Sequence, residues 1–563
     1  MVGSNRKKDL IYVLLFVVVL LAVNFLSGLF FTRFDFTKEK RYTLTQISKS
    51  LMDTMPKPVK VTVYLQGSDM PAGFKRLQSA TRDMLSDLQA YSRRKLQFSF
   101  VDPLAGLSQE QQAKAMDSLQ AKGIEPTNLS VKNDNGLTQK IIFPSAMVEA
   151  DGKQIPVKLL LTRNGIPYDE QLNNSIQNLE YAFVSAIKKV EADGKPEIGF
   201  TEGHDELSDL QLNDAMHSLS DGFLVGRVNL KTIPFPALQK IKLLVIPKPD
   251  KAFTEAEKFK IDQYLMHGGR ILWSIDQVSA ELDSLHHHDG QQLAFNKQLN
   301  LDDQLFRYGI RINYDMILDM NAVQIPITTG SIGGQGQIQM VPWLFYPVFM
   351  PSSSHPIVKN LDGIRSEFAN TMDTLAVRGI KKTVLLTSSV YSKKLASPHL
   401  LSLQMIEQVP EPKDFSGKPL TVGVLLEGSF ISDFRFRPVP DSVHENIPVL
   451  NQSVPTKMIV LSDGDIFKNQ IAADGSPFQL GYDHYTQQSY GNKNLLLNIA
   501  DYMTDDSGLI GLRNKEIKLR LLDKARVRSE KLYWQVINNI LPIVLVLIFA
   551  IFQHYIRRRK YAH

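Results

Sequence analysis

Two uncharged apolar runs stand at opposite ends of this chain, and they constrain everything between them. Leu10 to Phe31 is 22 residues without a charge, interrupted only by Tyr12, Asn24, Ser27 and Gly28. A membrane-spanning helix needs about 20 mainly apolar residues, so this run is long enough. It ends in Leu29-Phe30-Phe31-Thr32, without the small residues of a cleavage site, and reads as an uncleaved anchor. The second run, Ile540 to Phe552, has 13 residues, a length that also suits a buried core helix. Its flanks favour a span over 534–556. No charge lies between Lys531 and His554, and Tyr533, Trp534 and Tyr555 bracket the run like an interfacial aromatic belt. Pro542 falls near the outer end, where its missing hydrogen bond is easiest to replace.

Charge sets the orientation. The net charge of +6 resides in the tails: Arg6, Lys7, Lys8 and Asp9 at one end, Arg557, Arg558, Arg559 and Lys560 at the other. Basic tails face the cytoplasm, which leaves residues 32–533 in the periplasm of a two-pass inner-membrane protein. The body between the tails is neutral, so it lacks the electrostatic footprint of a nucleic-acid binder. One stretch opposes this topology: residues 513–531 hold eight basic side chains against three acidic ones. The charge rule acts weakly on long translocated domains, so the topology stands. That stretch either touches anionic headgroups or is a solvated or docking surface. Cysteine is absent, which excludes a disulfide framework, thiolate-held zinc, iron–sulfur clusters and a thiol nucleophile.

The body reads as α/β. Val59–Gln66 alternates like a strand, Phe74–Tyr91 has helical spacing, and Leu96–Val101 returns as a strand, a thioredoxin-like start. A capping box from Ser108 to Gln111 opens another helix. Strands are expected at Lys140–Glu149 and Gln154–Leu161, then a long helix from Leu172 to Val190. Gly194-Lys195-Pro196 closes this first domain, 32–193. Strands at Glu197–Thr201, Val228–Thr232, Leu243–Pro247 and Arg270–Ile275 then alternate with helices. Capping boxes at Ser208/Gln211 and Thr254/Glu257 start two of those helices, and the pattern implies a parallel sheet covered on both faces. Met458–Ser462 and Asn492–Thr504 read as its last strand and helix. The second domain is therefore flavodoxin-like or amidotransferase-like, 194–280 plus 456–512, around an insertion at 281–455. Residues 513–533 form a basic juxtamembrane strand and helix, and tails of 1–9 and 557–563 flank the spans.

Candidate chemistry is sparse. There is no GxxxxGK[ST], HExxH or GxSxG, and the cysteine of a class I amidotransferase is missing. Gly203-His204-Asp205-Glu206 follows a parallel strand, at the edge where open α/β sheets bind ligands. His204 and Glu206 there read either as a metal ligand or base with its carboxylate, or as a strand-to-helix turn. Asp276, Asp463 and Asp465 fall at the same edge and can join them in one acidic cleft. His286-His287-His288-Asp289 can bind a metal, but adjacent histidines do not reach one ion without strain, and a solvated loop suffices. Gly330–Gln337 lacks the strand and capped helix of a phosphate cradle. Asn24, within the first run, reads as a contact to another helix, and Trp534 and Asn538 sit where the second run meets a partner or lipid. No metal, cofactor or catalytic residue is expected.

Several short segments occur in a telling order. They are Arg33-Phe34-Asp35-Phe36-Thr37, Arg41-Tyr42-Thr43-Leu44-Thr45, Gly203-His204-Asp205-Glu206, Gly268-Gly269-Arg270-Ile271-Leu272-Trp273, Leu425-Leu426-Glu427-Gly428-Ser429-Phe430, Ser462-Asp463-Gly464-Asp465, and Trp534-Gln535 with Asn538. The set resembles the GldG family of gliding-motility ABC-transporter auxiliary proteins of Bacteroidota, over nearly the whole chain. The resemblance implies a permease partner, a separate cytoplasmic ATPase, and a role in gliding and the linked secretion machinery. It carries no catalytic residue. The expected contacts are thus the permease and its ATPase, membrane lipid, no nucleic acid, and optionally a second copy as a homodimer. The competing functions are a solute- or glycan-binding receptor of that transporter, or a cell-envelope enzyme working through His204 and Asp463.

Overall fold

The computed structural model describes residues 11–21, 43–67, 70–133, 136–162, 167–192, 194–287, 290–332, 335–407, 411–415, 417–514 and 524–561. The chain divides into a body and a separate C-terminal unit.

The body begins with α1 (Gln46–Asp53), β1 (Val59–Val63), α2 (Ala72–Tyr91), β2 (Leu96–Phe100) and α3 (Gln109–Ala121). Then come β3 (Thr127–Asn133), β4 (Gly136–Ile142), β5 (Ser145–Ala150), β6 (Lys153–Lys158) and α4 (Tyr168–Glu191). One sheet runs β2-β1-β5-β6, with β1 parallel to β2 and antiparallel to β5. Val59, Val61 and Val63 pack with Phe74, Leu77, Leu85 and Leu88 of α2 and Leu172, Leu179, Phe183 and Ile187 of α4. The capping box at Ser108 and Gln111 forms. The single strand expected at Lys140–Glu149 is instead two. Pro144 has no N–H for a ladder, and β4 ends before it while β5 starts after it. β4 pairs with β3 in a separate hairpin, whose polar sequence Thr127–Asn133 gave no strand signal.

The second sheet has ten strands. Its parallel half comprises β7 (Glu197–Glu202), β8 (Leu224–Asn229), β9 (Leu243–Pro247) and β10 (Ile271–Ser274), with β15 (Thr456–Leu461) as its last strand. The helices are α5 (Asn213–Ser220), α6 (Glu255–Met266) and α7 (Asn492–Thr504). The spatial order β8-β7-β9-β10-β15 is 2-1-3-4-5, one of the two common orders of doubly wound sheets. Successive residues alternate faces. Leu243, Val245, Leu272, Ile459 and Leu461 meet α5 and α7, whereas Leu244, Ile246, Ile271, Trp273, Met458 and Val460 meet α6. Both faces are covered, so the strands read as unbroken apolar runs.

Two local expectations shift. The second strand is Leu224–Asn229 rather than Val228–Thr232. It is an edge strand with Val228 as its one buried residue, so hydrophobicity marked it poorly. Ser208 and Gln211 do exchange their capping bonds, but over a turn, and α5 starts at Asn213.

Residues 281–455 contribute β11 (Ala322–Ile332), β12 (Gln335–Pro351), β13 (Ile380–Thr387) and β14 (Thr421–Gly428). These extend the same sheet beyond β15, all antiparallel. Other parts of the stretch cover the outer side of α6. Lys258, fully buried, reaches Asp303 at 2.6 Å, and Asp262 accepts hydrogen bonds from Tyr308, Ser432 and the Asp433 amide.

The C-terminal unit is one helix, α8 (Lys524–Tyr561), with Pro542 inside it. Its segment Val527–Arg559 is long and apolar enough to cross a membrane. At the other end, Ile11–Leu21 is a shorter apolar helix. Residues 515–523 of the juxtamembrane stretch, where its strand was expected, and the rest of the first apolar run lie outside the described residues.

Candidate functional site at the carboxyl edge of the sheet

The parallel strands deliver their following residues to one edge. Lys248 follows β9, Asp276 follows β10, and Asp463 and Asp465 follow β15. Glu281, Arg365 and Glu367 come from the intervening stretch. Above them lies a cavity of about 590 Å³, lined by Glu206, Lys248, Glu281, Arg365, Glu367 and Lys468 among others.

Lys248 organises this edge. Its backbone is left-handed (φ 52°), an unusual setting for lysine, and its Nζ stands 2.6 and 2.7 Å from the two Asp465 oxygens. It also donates to Glu281 at 2.5 Å and lies 3.7 Å from Asp276. Lys468 contacts Asp465 at 2.9 Å and Glu367 at 3.5 Å, and Arg365 pairs with Glu367 at 2.6 Å. Asp463 is fully buried and accepts the amides of Asp465 and Glu367. Asp276 accepts the amide of Gly464.

The carboxyls are pushed in opposite directions. Burial pushes Asp463 well up, and the neighbouring Asp276 and Asp465 push it further. Burial also raises Asp276, against the pull of Lys248. For Asp465, burial is outweighed by Lys248 and Lys468, which hold it ionised. Glu367 is likewise held low, as Lys468 and Arg365 overcome its burial. Burial depresses the two ammoniums, yet Asp465 more than restores both. The result is a network in which burial pushes Asp463 and Asp276 toward the neutral form while the ammonium groups favour the charged form of Asp465. Asp276, Asp463 and Asp465 could present three oxygens to a cation, as could Glu281, Glu367 and Asp465. In both sets Asp465 is already paired with the ammonium groups of Lys248 and Lys468.

His204 stands apart from this network. It is 2% exposed, stacked on Phe253 at 3.9 Å, with Nε2 at 3.1 Å from Glu257 and Nδ1 at 3.4 Å from Glu206. Asp205 takes a left-handed φ of 55°, which lets Glu206 fold back onto the His204 amide at 2.6 Å. The His204 carbonyl accepts the amides of Asp250 and Lys251. Burial opposes the imidazolium, but Glu206 and Glu257 outweigh it and raise its pKa to about 9. His204 is thus a turn residue locked into the protein, not a cleft residue. Glu257 is also the third residue of α6, where it closes the capping box with the N-cap Thr254. Thr254→Ala should cost about 1 kcal/mol in the unfolding transition, the usual worth of an N-cap.

The structure brings Asp276, Asp463 and Asp465 together and separates His204 from them. Glu206 bridges, facing both His204 and the cavity. Lys248, Glu281, Arg365, Glu367 and Lys468 were not found from sequence, although Lys248 directly follows an expected strand at the expected edge. Trp534 and Asn538 are exposed on α8, with Trp534 donating to Glu530 at 3.0 Å. Asn24 lies outside the described residues, as do the side chains of His286 to Asp289. Residues 330–332 and 335–337 belong to the β11–β12 ribbon.

Comparison with known proteins decides the affiliation. Residues 195–499, the ten-stranded sheet and its helices, match the family model described as ABC-type uncharacterized transport system. This chain belongs to that family. Residues 38–149 match a second model, a domain of unknown function. An uncharacterized protein of Borreliella burgdorferi is 20% identical over 570 residues, covering 99% of both chains, so the similarity extends beyond the family segment. Among solved structures, the mmIFT52 N-terminal domain gives a TM-score of 0.31 at 14% identity, over 55% of this chain and 98% of that one. That likeness is too slight to argue from. The family points to a transport-associated accessory role for this chain.

Proposed function

We propose that this family member is a non-enzymatic, membrane-anchored accessory subunit of an ABC transporter, with its body in the periplasm and both termini in the cytoplasm. The family match over residues 195–499 carries this reading. The span-length apolar helix at 527–559 supports membrane attachment, and the second anchor at 10–31 rests on sequence alone. The resemblance to GldG narrows the role to gliding motility and the linked secretion machinery, with a permease and a cytoplasmic ATPase as partners. The first part of the body reads as thioredoxin-like, for its parallel β1–β2 pair and antiparallel closing strands. The edge cluster fits a structural role, because its charges are compensated within the protein.

The direct test is affinity purification of the full chain from native membranes. Co-purification of a permease and an ATPase is expected, and their absence under mild detergent would sink the accessory reading. A cytoplasm-active reporter fused after His563 should be active; a periplasm-active one there should be silent. The reverse pattern would remove the two-span topology. A receptor reading has the cleft position in its favour, and a solute retained through purification would support it.

A further inference from the structure

A second cavity, far more apolar than the edge cleft, opens where α4 and β6 meet Pro196, Phe223 and the end of α7. Its volume is about 360 Å³. Ile155 of β6, Tyr181 of α4, Pro196, Phe223, Leu509 and Ile510 line it. Its walls are tied across the joint: Lys189 pairs with Asp501 at 2.7 Å, Lys188 with Asp505 at 2.7 Å, and Tyr181 donates to Asp501 at 2.8 Å. Leu509 and Leu512 are buried in the core of the first sheet, so the joint is anchored rather than loose. Apolar walls give water few partners, whereas concave apolar pockets at domain joints with a few polar groups suit small ligands.

The rim supplies the polar groups. Four lysines line the cavity against three aspartates. Lys188 and Lys189 are spent on Asp505 and Asp501. Lys153 and Lys195 donate to the carbonyls of Ala192 and Ser220, and among the described residues neither has a carboxylate partner. Both are exposed, so they sit at the mouth while the apolar walls lie inside. Asp221 is the one remaining acidic group on the lining. Two lysines on the rim of a mainly apolar pocket match a molecule with an anionic head and an apolar tail.

We propose that this joint cavity binds an amphipathic anion, its chain between Phe223, Ile155 and Leu509 and its head at Lys153 and Lys195. The proposal rests on the cavity alone and is independent of the transport reading. The head can be a free carboxylate or a lipid phosphate, and the test separates these sources.

The full chain, held in nanodiscs, is exposed to a photoreactive C12 carboxylic acid, to the matching C12 alcohol, and to a photoreactive anionic phospholipid. Crosslinked peptides are mapped by mass spectrometry. Saturable labelling of peptides containing 153–155, 192–196, 221–223 or 509–510 by the acid is expected, with at least fivefold less by the alcohol. Labelling by the phospholipid at the same peptides would assign a lipid source, and labelling by the acid alone a free carboxylate. Lys153→Gln with Lys195→Gln should reduce labelling at least threefold. Ser185→Phe, which fills the cavity from α4, should abolish it while leaving the thermal transition in place. If Ser185→Phe misfolds, the lysine pair, being exposed, still decides. Labelling confined to α8, or equal labelling by acid and alcohol, would overturn the proposal.

Discussion

Replacing Lys248 with methionine should lower the stability of the body by about 3–5 kcal/mol, the usual cost of removing one partner from a buried ion pair. The side chain is 10% exposed and its main partner Asp465 is 2% exposed. Methionine keeps the volume and removes the charge. Asp465 is then left with Lys468 alone, and Asp276 loses its nearest cation. The loss should appear as an earlier urea transition followed by Trp273 fluorescence, because Trp273 is fully buried on β10, beside this edge. Asp465→Asn in the Lys248→Met background should recover part of the loss, since the buried charge is removed with its partner. An unchanged transition for the single variant would show that Lys248 is not what compensates the cluster.

The second large effect is a pH dependence centred on His204. Its folded pKa is raised from 6.5 to about 9, as Glu206 and Glu257 outweigh its burial. A raised folded value means that the stabilisation is fully present below 6.5 and disappears as pH climbs through 9. The span corresponds to about 3 kcal/mol, an order-of-magnitude figure from 1.36 kcal/mol per tenfold step in proton affinity. Glu257 shows the acid side of the same interaction. Its carboxyl is held down from 4.5 to about 2, since His204 and Thr254 overcome its burial. That contribution is present above 4.5 and is lost as pH falls through 2. The ion pair therefore stabilises most between pH 4.5 and 6.5. Urea transitions taken at pH 6 and pH 9.5 should differ accordingly, and His204→Gln should flatten the difference. A His204→Gln protein with the same drop would place the titrating group elsewhere.

What the sequence alone makes legible varies by element. Helices α2, α4 and α7 and strands β1, β7, β9, β10 and β15 follow from spacing, since each presents one stripe or an unbroken apolar run to a core. Capping residues gave the start of α6 at Thr254. The edge strand β8 did not stand out, because it buries too few side chains to impose a period, and β3 did not because its sequence, TNLSVKN, is mostly polar.

Helix α6 marks the boundary of what local pattern can show. Its sequence, EAEKFKIDQYLM, alternates charged and apolar residues like a surface helix, yet every residue from Glu257 to Met266 is buried. Partners supply the reason: Asp303 for Lys258, Glu445 for Lys260, and Tyr308 and Ser432 for Asp262, all distant in sequence. The same holds at the sheet edge. Strand order by itself brought Asp276, Asp463 and Asp465 to one place, because parallel strands end together. Which carboxyls stay charged was decided by Lys248, Lys468 and Arg365, and the last of these arrives on a stretch read from sequence as a separate insertion. Local periodicity reports which face of an element is apolar. The burial of a charge depends on a counter-charge delivered from elsewhere in the fold, and only the tertiary structure supplies it.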